Sequence, residues 1–137
     1  MELRLTDSER PGGVASVGFH LQHLAGVLNR LLTYARAEAL SESQFSDFNA
    51  ETPPLPIAPD TAKRLVQRFN EEVDAALQQL RATSETSLTE VRGVGRAQVP
   101  STLLGLLMHA AEHTARHLGQ LLVTAKWVRD ASLRSAE

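Results

Sequence analysis

The sequence predicts an all-α domain, and three observations carry that prediction. Apolar residues recur at spacings of three and four in three separate stretches, which is the mark of a helix with one buried face. No segment keeps the sustained alternation of a half-buried strand. Prolines punctuate the gaps between the stretches, where a continuous helix is forbidden.

The first helix is predicted from about Val14 to Leu40, after the turn-like Arg10-Pro11-Gly12-Gly13. Ser16 is its candidate N-cap, and Val17, Leu21, Leu24, Leu28, Leu31, Leu32 and Ala35 form its apolar stripe. Glu42 to Pro59 reads as a linker, with Phe45 and Phe48 available to dock on a core and Pro53, Pro54, Pro56 and Pro59 breaking any helix. A second long helix starts at Asp60 or Thr61 and reaches about Ala82 through Leu65, Val66, Phe69, Val73, Ala76, Leu77 and Leu80. Leu88 to Val99, interrupted by Gly93 and Gly95, reads as a loop or short irregular hairpin. Pro100 then suits the first position of the last helix, which is predicted from about Ser101 to Ala131. The expectation is a single domain over residues 1–137, with three long helices, a linker and a short hairpin or loop.

Composition excludes several classes. The net charge is −2 and the charges are mixed along the chain, unlike the clustered basic face of a nucleic-acid binder. There is no cysteine, which removes disulfides, thiolate metal sites and cysteine nucleophiles. Any metal must be held by nitrogen and oxygen donors. The first residues lack the apolar run of a signal peptide, and no apolar stretch approaches a membrane-spanning length, so a cytoplasmic protein without membrane partners is expected.

All five histidines fall on two predicted helices: His20 and His23 on the first, His109, His113 and His117 on the last. Residues four apart share a helix face one turn apart, so His113 and His117 present two imidazoles to one point. Neutral imidazole is a common ligand of zinc, nickel and iron. With His23 from a facing helix, the pair makes three protein ligands and leaves positions open for water or substrate. Successive four-residue steps drift by about 40°, so His109 is left as a group behind a ligand or a surface residue. His20 lies about 60° from His23 around the helix and is the weaker candidate of the two.

The segment His113-Thr114-Ala115-Arg116-His117-Leu118-Gly119-Gln120 resembles the His-x-x-x-His-x-Gly-Gln signature of DinB-like proteins, the DinB/YfiT superfamily. His20-Leu21-Gln22-His23-Leu24-Ala25-Gly26 is similar to that family's earlier histidine helix, and Val94-Gly95-Arg96 with Pro100-Ser101-Thr102 to its inter-helix segment. The resemblance implies a four-helix bundle with a long crossover. It also implies a divalent metal, nickel or zinc, at positions matching His23, His113 and His117. Relatives of known activity use low-molecular-weight thiols, as bacillithiol S-transferases and mycothiol-dependent maleylpyruvate isomerases do. One departure stands out: only about a dozen residues precede the first histidine helix, room for two to three turns at most. A bundle shortened at its N-terminus leaves an apolar groove, so a homodimer that covers the groove is expected.

Other residues are candidates for chemistry around such a site. Arg30 and Tyr34 continue the face of His23 and could bind an anion or donate a proton. Arg116 could bind a substrate carboxylate, and Glu112 could act as a general base or pair with Arg116 at i, i+4. Gln120 could bond a ligand ring, and Gly119 could admit a neighbouring helix. Three functions remain open on the sequence: metal-dependent transfer of a small thiol, non-catalytic metal binding in a stress response, and metal-dependent hydrolysis.

Overall fold

The computed structural model describes residues 13–53, 55–56 and 58–134. The expectation for Met1 to Arg10 lies outside these residues. Four helices and one hairpin follow in order: α1 (Val17–Ala35), α2 (Glu42–Ala50), α3 (Thr61–Ala82), β1 (Val91–Val94), β2 (Val99–Thr102) and α4 (Leu103–Arg134). The architecture is all-α, with α1 packed between α3 and α4.

Helix α1 begins where its cap is written. The Ser16 hydroxyl accepts from the Phe19 amide at 3.1 Å, satisfying one of the four free N–H groups of the first turn. It stops earlier than the predicted Leu40. Ala37 takes a left-handed φ of 61°, and the Ala37 and Glu38 amides bond back to the Tyr34 and Thr33 carbonyls. An alanine there costs about 1 kcal/mol relative to glycine, which is why the stop was not evident in the sequence.

The predicted linker needs correction. Residues Glu42–Ala50 form α2, closed at its start by a reciprocal capping box between Ser41 and Gln44. Gln44 also donates to Asn29 and Thr33 of α1, and Arg68 of α3 holds Asp47 at 2.6 Å, so α2 is fastened to both long helices by polar contacts. No residue of α2 is buried, hence its lack of an apolar stripe. Phe48 does not enter a core: it is half exposed and lies under the Arg30 guanidinium, 4.8 Å from its ring centre.

The hairpin pairs Val91 with Thr102 and Val94 with Val99, turning through Gly95 at φ 69°. Pro100 sits in β2 opposite Gly93, not at a helix start. A two-stranded ribbon is all edge and tolerates its missing N–H. The start of α4 is capped by this hairpin region instead: the Leu103 and Leu104 amides donate to the Glu90 and Leu88 carbonyls, both at 2.9 Å.

The core has two parts. Leu28, Leu31, Leu32 and Ala35 of α1 meet Leu103, Leu106 and Ala110 of α4. Val17 and Leu21 meet Leu121 and Ala125. His23 of α1 and His113 and His117 of α4 fall between these clusters along the two helices.

Candidate metal centre

Helix α1 runs antiparallel to α4 here, so His20 and His23 face His113 and His117. One nitrogen from each of His23, His113 and His117 lies within 4.8 Å of the other two. His23 Nε2 and His113 Nε2 are 3.0 Å apart. Two nitrogens at about 2.0–2.1 Å from one ion, at tetrahedral or octahedral angles, stand roughly 2.9–3.4 Å apart. The donor set, and the spacing of the His23–His113 pair, therefore fit a divalent transition metal.

Each imidazole has a neighbour that fixes its orientation. His23 Nδ1 donates to Glu51 Oε2 at 2.8 Å, which leaves Nε2 as a lone pair turned towards the cluster. Glu51 is 5 % exposed and is held in turn by Arg30, at 2.6 Å and 3.3 Å to its two oxygens. Burial would raise the Glu51 carboxyl; hydrogen bonds from His23 and Arg30, with the charge of Arg30, outweigh it and hold the group below its usual value. A Cβ at position 26 would collide with Glu51 Oε1 and stand 2.8 Å from Arg30 Nη1. Gly26 is thus the notch in α1 through which the carboxylate reaches His23.

His20 is 3 % exposed, and its Nδ1 lies 3.1 Å from His117 Nδ1. That contact leaves His117 Nε2 as its free ligand atom. Burial first, then the charge of neighbouring imidazoles, depresses the proton affinities of His20, His113 and His117; His117 falls from 6.5 to about 4. Neutral rings with available lone pairs are what a metal requires.

His113 Nδ1 faces Arg116 Nη2 at 3.0 Å. Arginine only donates, so His113 Nδ1 accepts and its proton sits on Nε2, directed at His23 Nε2. Were His113 Nε2 to hold an ion, its proton would have to sit on Nδ1, where it would displace the Arg116 contact.

Several sequence expectations shift here. Arg30 is not a free anion site, because Glu51 occupies it. Tyr34 packs on the apolar core beside Leu28 and Leu31 rather than at the imidazoles. Glu112 is exposed and lies 3.7 Å from Arg116 and 3.6 Å from His109, which is itself on the surface. Gly119 meets no neighbouring helix; a Cβ there would enter open space. Glu51 falls in the segment predicted to be a linker, and no spacing of its own marks it as a site residue. The Ser41-x-x-Gln44 pattern was the available signal that a helix runs up to it.

Beside His20 and His117 opens a cleft of about 540 Å3, walled by Val14, Ala15, Val123 and Gly119, with Gln120 and Thr124 as its other polar groups. Its size suits a small molecule.

A model of the DinB superfamily matches residues 5–121, most of the chain and all of the histidine cluster. The chain belongs to the DinB superfamily. No curated protein sequence matches it significantly. Among solved structures, this DinB superfamily chain is similar to a DinB-like protein from Bacillus cereus ATCC 10987, with a TM-score of 0.64 and 16 % identity over 93 % of this chain and 77 % of that one. At that identity the likeness speaks to the fold alone. Among the described residues, no helix is long and apolar enough to cross a membrane.

Proposed function

We propose that this DinB superfamily protein is a cytoplasmic metalloenzyme that holds nickel or zinc on His23, His113 and His117 and transfers a low-molecular-weight thiol to a small electrophile. The observation that carries the reading is the convergence of three imidazoles, held in orientation from behind, at the edge of an open cleft. What a divalent ion supplies at such a triad is Lewis acidity, enough to bring proton loss from a thiol or water towards neutral pH. The chain has no cysteine, so the thiol in this reading is a cosubstrate.

The protein's own residues perform the rest. Glu51 keeps the His23 proton on Nδ1, and Arg30 keeps Glu51 ionised and still. His20 orients His117. Val14, Ala15 and Val123 give the cleft apolar walls, while Gln120 and Thr124 offer hydrogen bonds to whatever enters. Hydrolysis with Glu112 as base is the less favoured chemistry, because that carboxylate lies on the surface between Arg116 and His109.

One observation favours a second reading. The histidine layer lies between two core clusters, so an ion there would tie both halves of the α1–α4 packing together and stabilise the fold without catalysis. Metal analysis of the purified protein, followed by a panel of thiols and electrophiles, separates the two. Near-stoichiometric nickel or zinc with thiol-dependent turnover, both lost in His113→Ala, supports the enzyme. Full turnover in a metal-free His113→Ala protein sinks it. Metal without turnover on the whole panel, and a large fall in Tm with chelator, leaves the structural role.

A further inference from the structure

Helix α4 has two apolar faces. The first, with Leu103, Leu106 and Ala110, is buried against α1. The second lies about a third of a turn further round and faces solvent: Leu104, Met108, Ala111, Ala115, Leu118 and Leu122 are all exposed, Met108 by 63 % and Leu122 by 64 %. Their spacings alternate four and three, the 3.5-residue period with which one helix packs along another. A helix that only covered α1 would need one stripe. The second stripe borders a cleft of about 380 Å3, floored by Leu28 and Leu32 and walled on the far side by Leu77 and Leu80 of α3.

The order of sizes along this seam names the occupant. It reads the same in both directions: two large residues, two alanines, two large residues. A two-fold axis between Ala111 and Ala115 sets Ala111 of one copy against Ala115 of the other, where two antiparallel helices cross most closely. The same axis sets Met108 against Leu118 and Leu104 against Leu122, filling the gap as the helices diverge. Such self-complementarity is what an isologous interface requires, and an unrelated partner would not impose it.

The area is sufficient. Leu104, Met108, Leu118, Leu122, Leu77 and Leu80 are between 41 % and 64 % exposed, which amounts to on the order of 600 Å2 of apolar surface per chain, the upper end for a monomer's largest patch. Two copies would remove roughly 1,200 Å2, the threshold of a specific stable interface. We infer that this face is the dimer interface of the protein, with α4 of a second copy lying antiparallel across α4 of the first and over the α3–α4 cleft.

Sedimentation velocity of the full chain across about 1–50 μM tests the inference. A species of about 30 kDa is expected, twice the chain mass. Ala115→Arg, at an exposed position on the rim of the cleft, places two guanidinium groups at the axis and is expected to weaken association about 100-fold or more, with the helical circular dichroism unchanged. The chain has no cysteine of its own, so mixing Ala111→Cys with Ala115→Cys reports one contact only. Mild oxidation should link the two variants into a heterodimer, and this result stands even if Ala115→Arg fails to fold. A wild-type monomer throughout the range, a dimer undiminished in folded Ala115→Arg, or no cross-link where the protein is dimeric would each overturn the proposal.

Discussion

Glu51 and Arg116 act on the imidazoles from opposite sides, and their effects on metal binding should have opposite signs. Glu51 accepts from His23 Nδ1, so it favours the tautomer that binds. Replacing a carboxylate behind a ligating histidine typically weakens metal affinity by about 10–100-fold. Glu51→Gln should do this and should also leave the buried Arg30 charge unpaired, at a cost of about 3 kcal/mol in folding stability. Calorimetric titration with nickel or zinc and a melting curve check both; an unchanged affinity would remove Glu51 from the site. Arg116 donates to His113 Nδ1 and so favours the tautomer that does not bind. Its side chain is about half exposed, and one such hydrogen bond is worth about 0.5–1.5 kcal/mol. Arg116→Ala should therefore tighten the metal by about 2–10-fold. Weaker binding in that variant would show that Arg116 contributes to holding the ion.

Helix α2 delivers Glu51. None of its residues is fully buried, so its stability rests largely on its cap, on polar ties to α1 and α3 and on the stacking of Phe45 and Phe48 under arginines. Loss of a serine N-cap costs about 1 kcal/mol. Ser41→Ala is expected to lower the melting temperature by a few degrees and to weaken the metal several-fold, although position 41 is remote from any imidazole. Affinity insensitive to this change would mean that Glu51 is placed independently of α2. Gly26→Ala tests the other side of the same contact. Helix propensity alone predicts a gain of about 1 kcal/mol. The collision of the new methyl with Glu51 and Arg30 predicts a loss instead, because a buried ion pair must move. A more stable Gly26→Ala protein would refute the notch. The length and place of α1, α3 and α4 were legible in the sequence, since each has an apolar stripe of helical period. Helix α2 was not, because it meets its neighbours through polar tips and two arginine–phenylalanine contacts rather than an apolar stripe.

At the scale of the molecule, the histidine layer makes stability depend on pH and on metal. The native proton affinities of His20, His113 and His117 lie below the ordinary 6.5, down to about 4 for His117. The unfolded chain therefore takes up protons that the native one refuses as pH falls below about 6.5. Stability of the metal-free protein should be level above that value and decline from there towards about pH 4. As pH falls through the ordinary carboxyl value towards the lowered native one, protonation of Glu51 adds to the decline. Melting curves at half-unit intervals test this, and a flat profile between pH 7 and 4.5 would refute it. Saturating nickel or zinc at about 100 times its Kd should add about 2.7 kcal/mol of stability near neutral pH.

The sequence by itself determined the three long helices, the family signature, and the pairing of His113 with His117 on one helix face. Helical period and four-residue spacing are local properties, so residue order is enough to show them. Only the tertiary structure decided what stands behind those rings. Glu51 lies 28 residues from His23 and reaches it through Gly26; Arg30 turns from a free cation into that carboxylate's anchor; His20 turns inwards to His117. Each depends on how α1, α2 and α4 close on one another, and no spacing along the chain encodes an angle between helices.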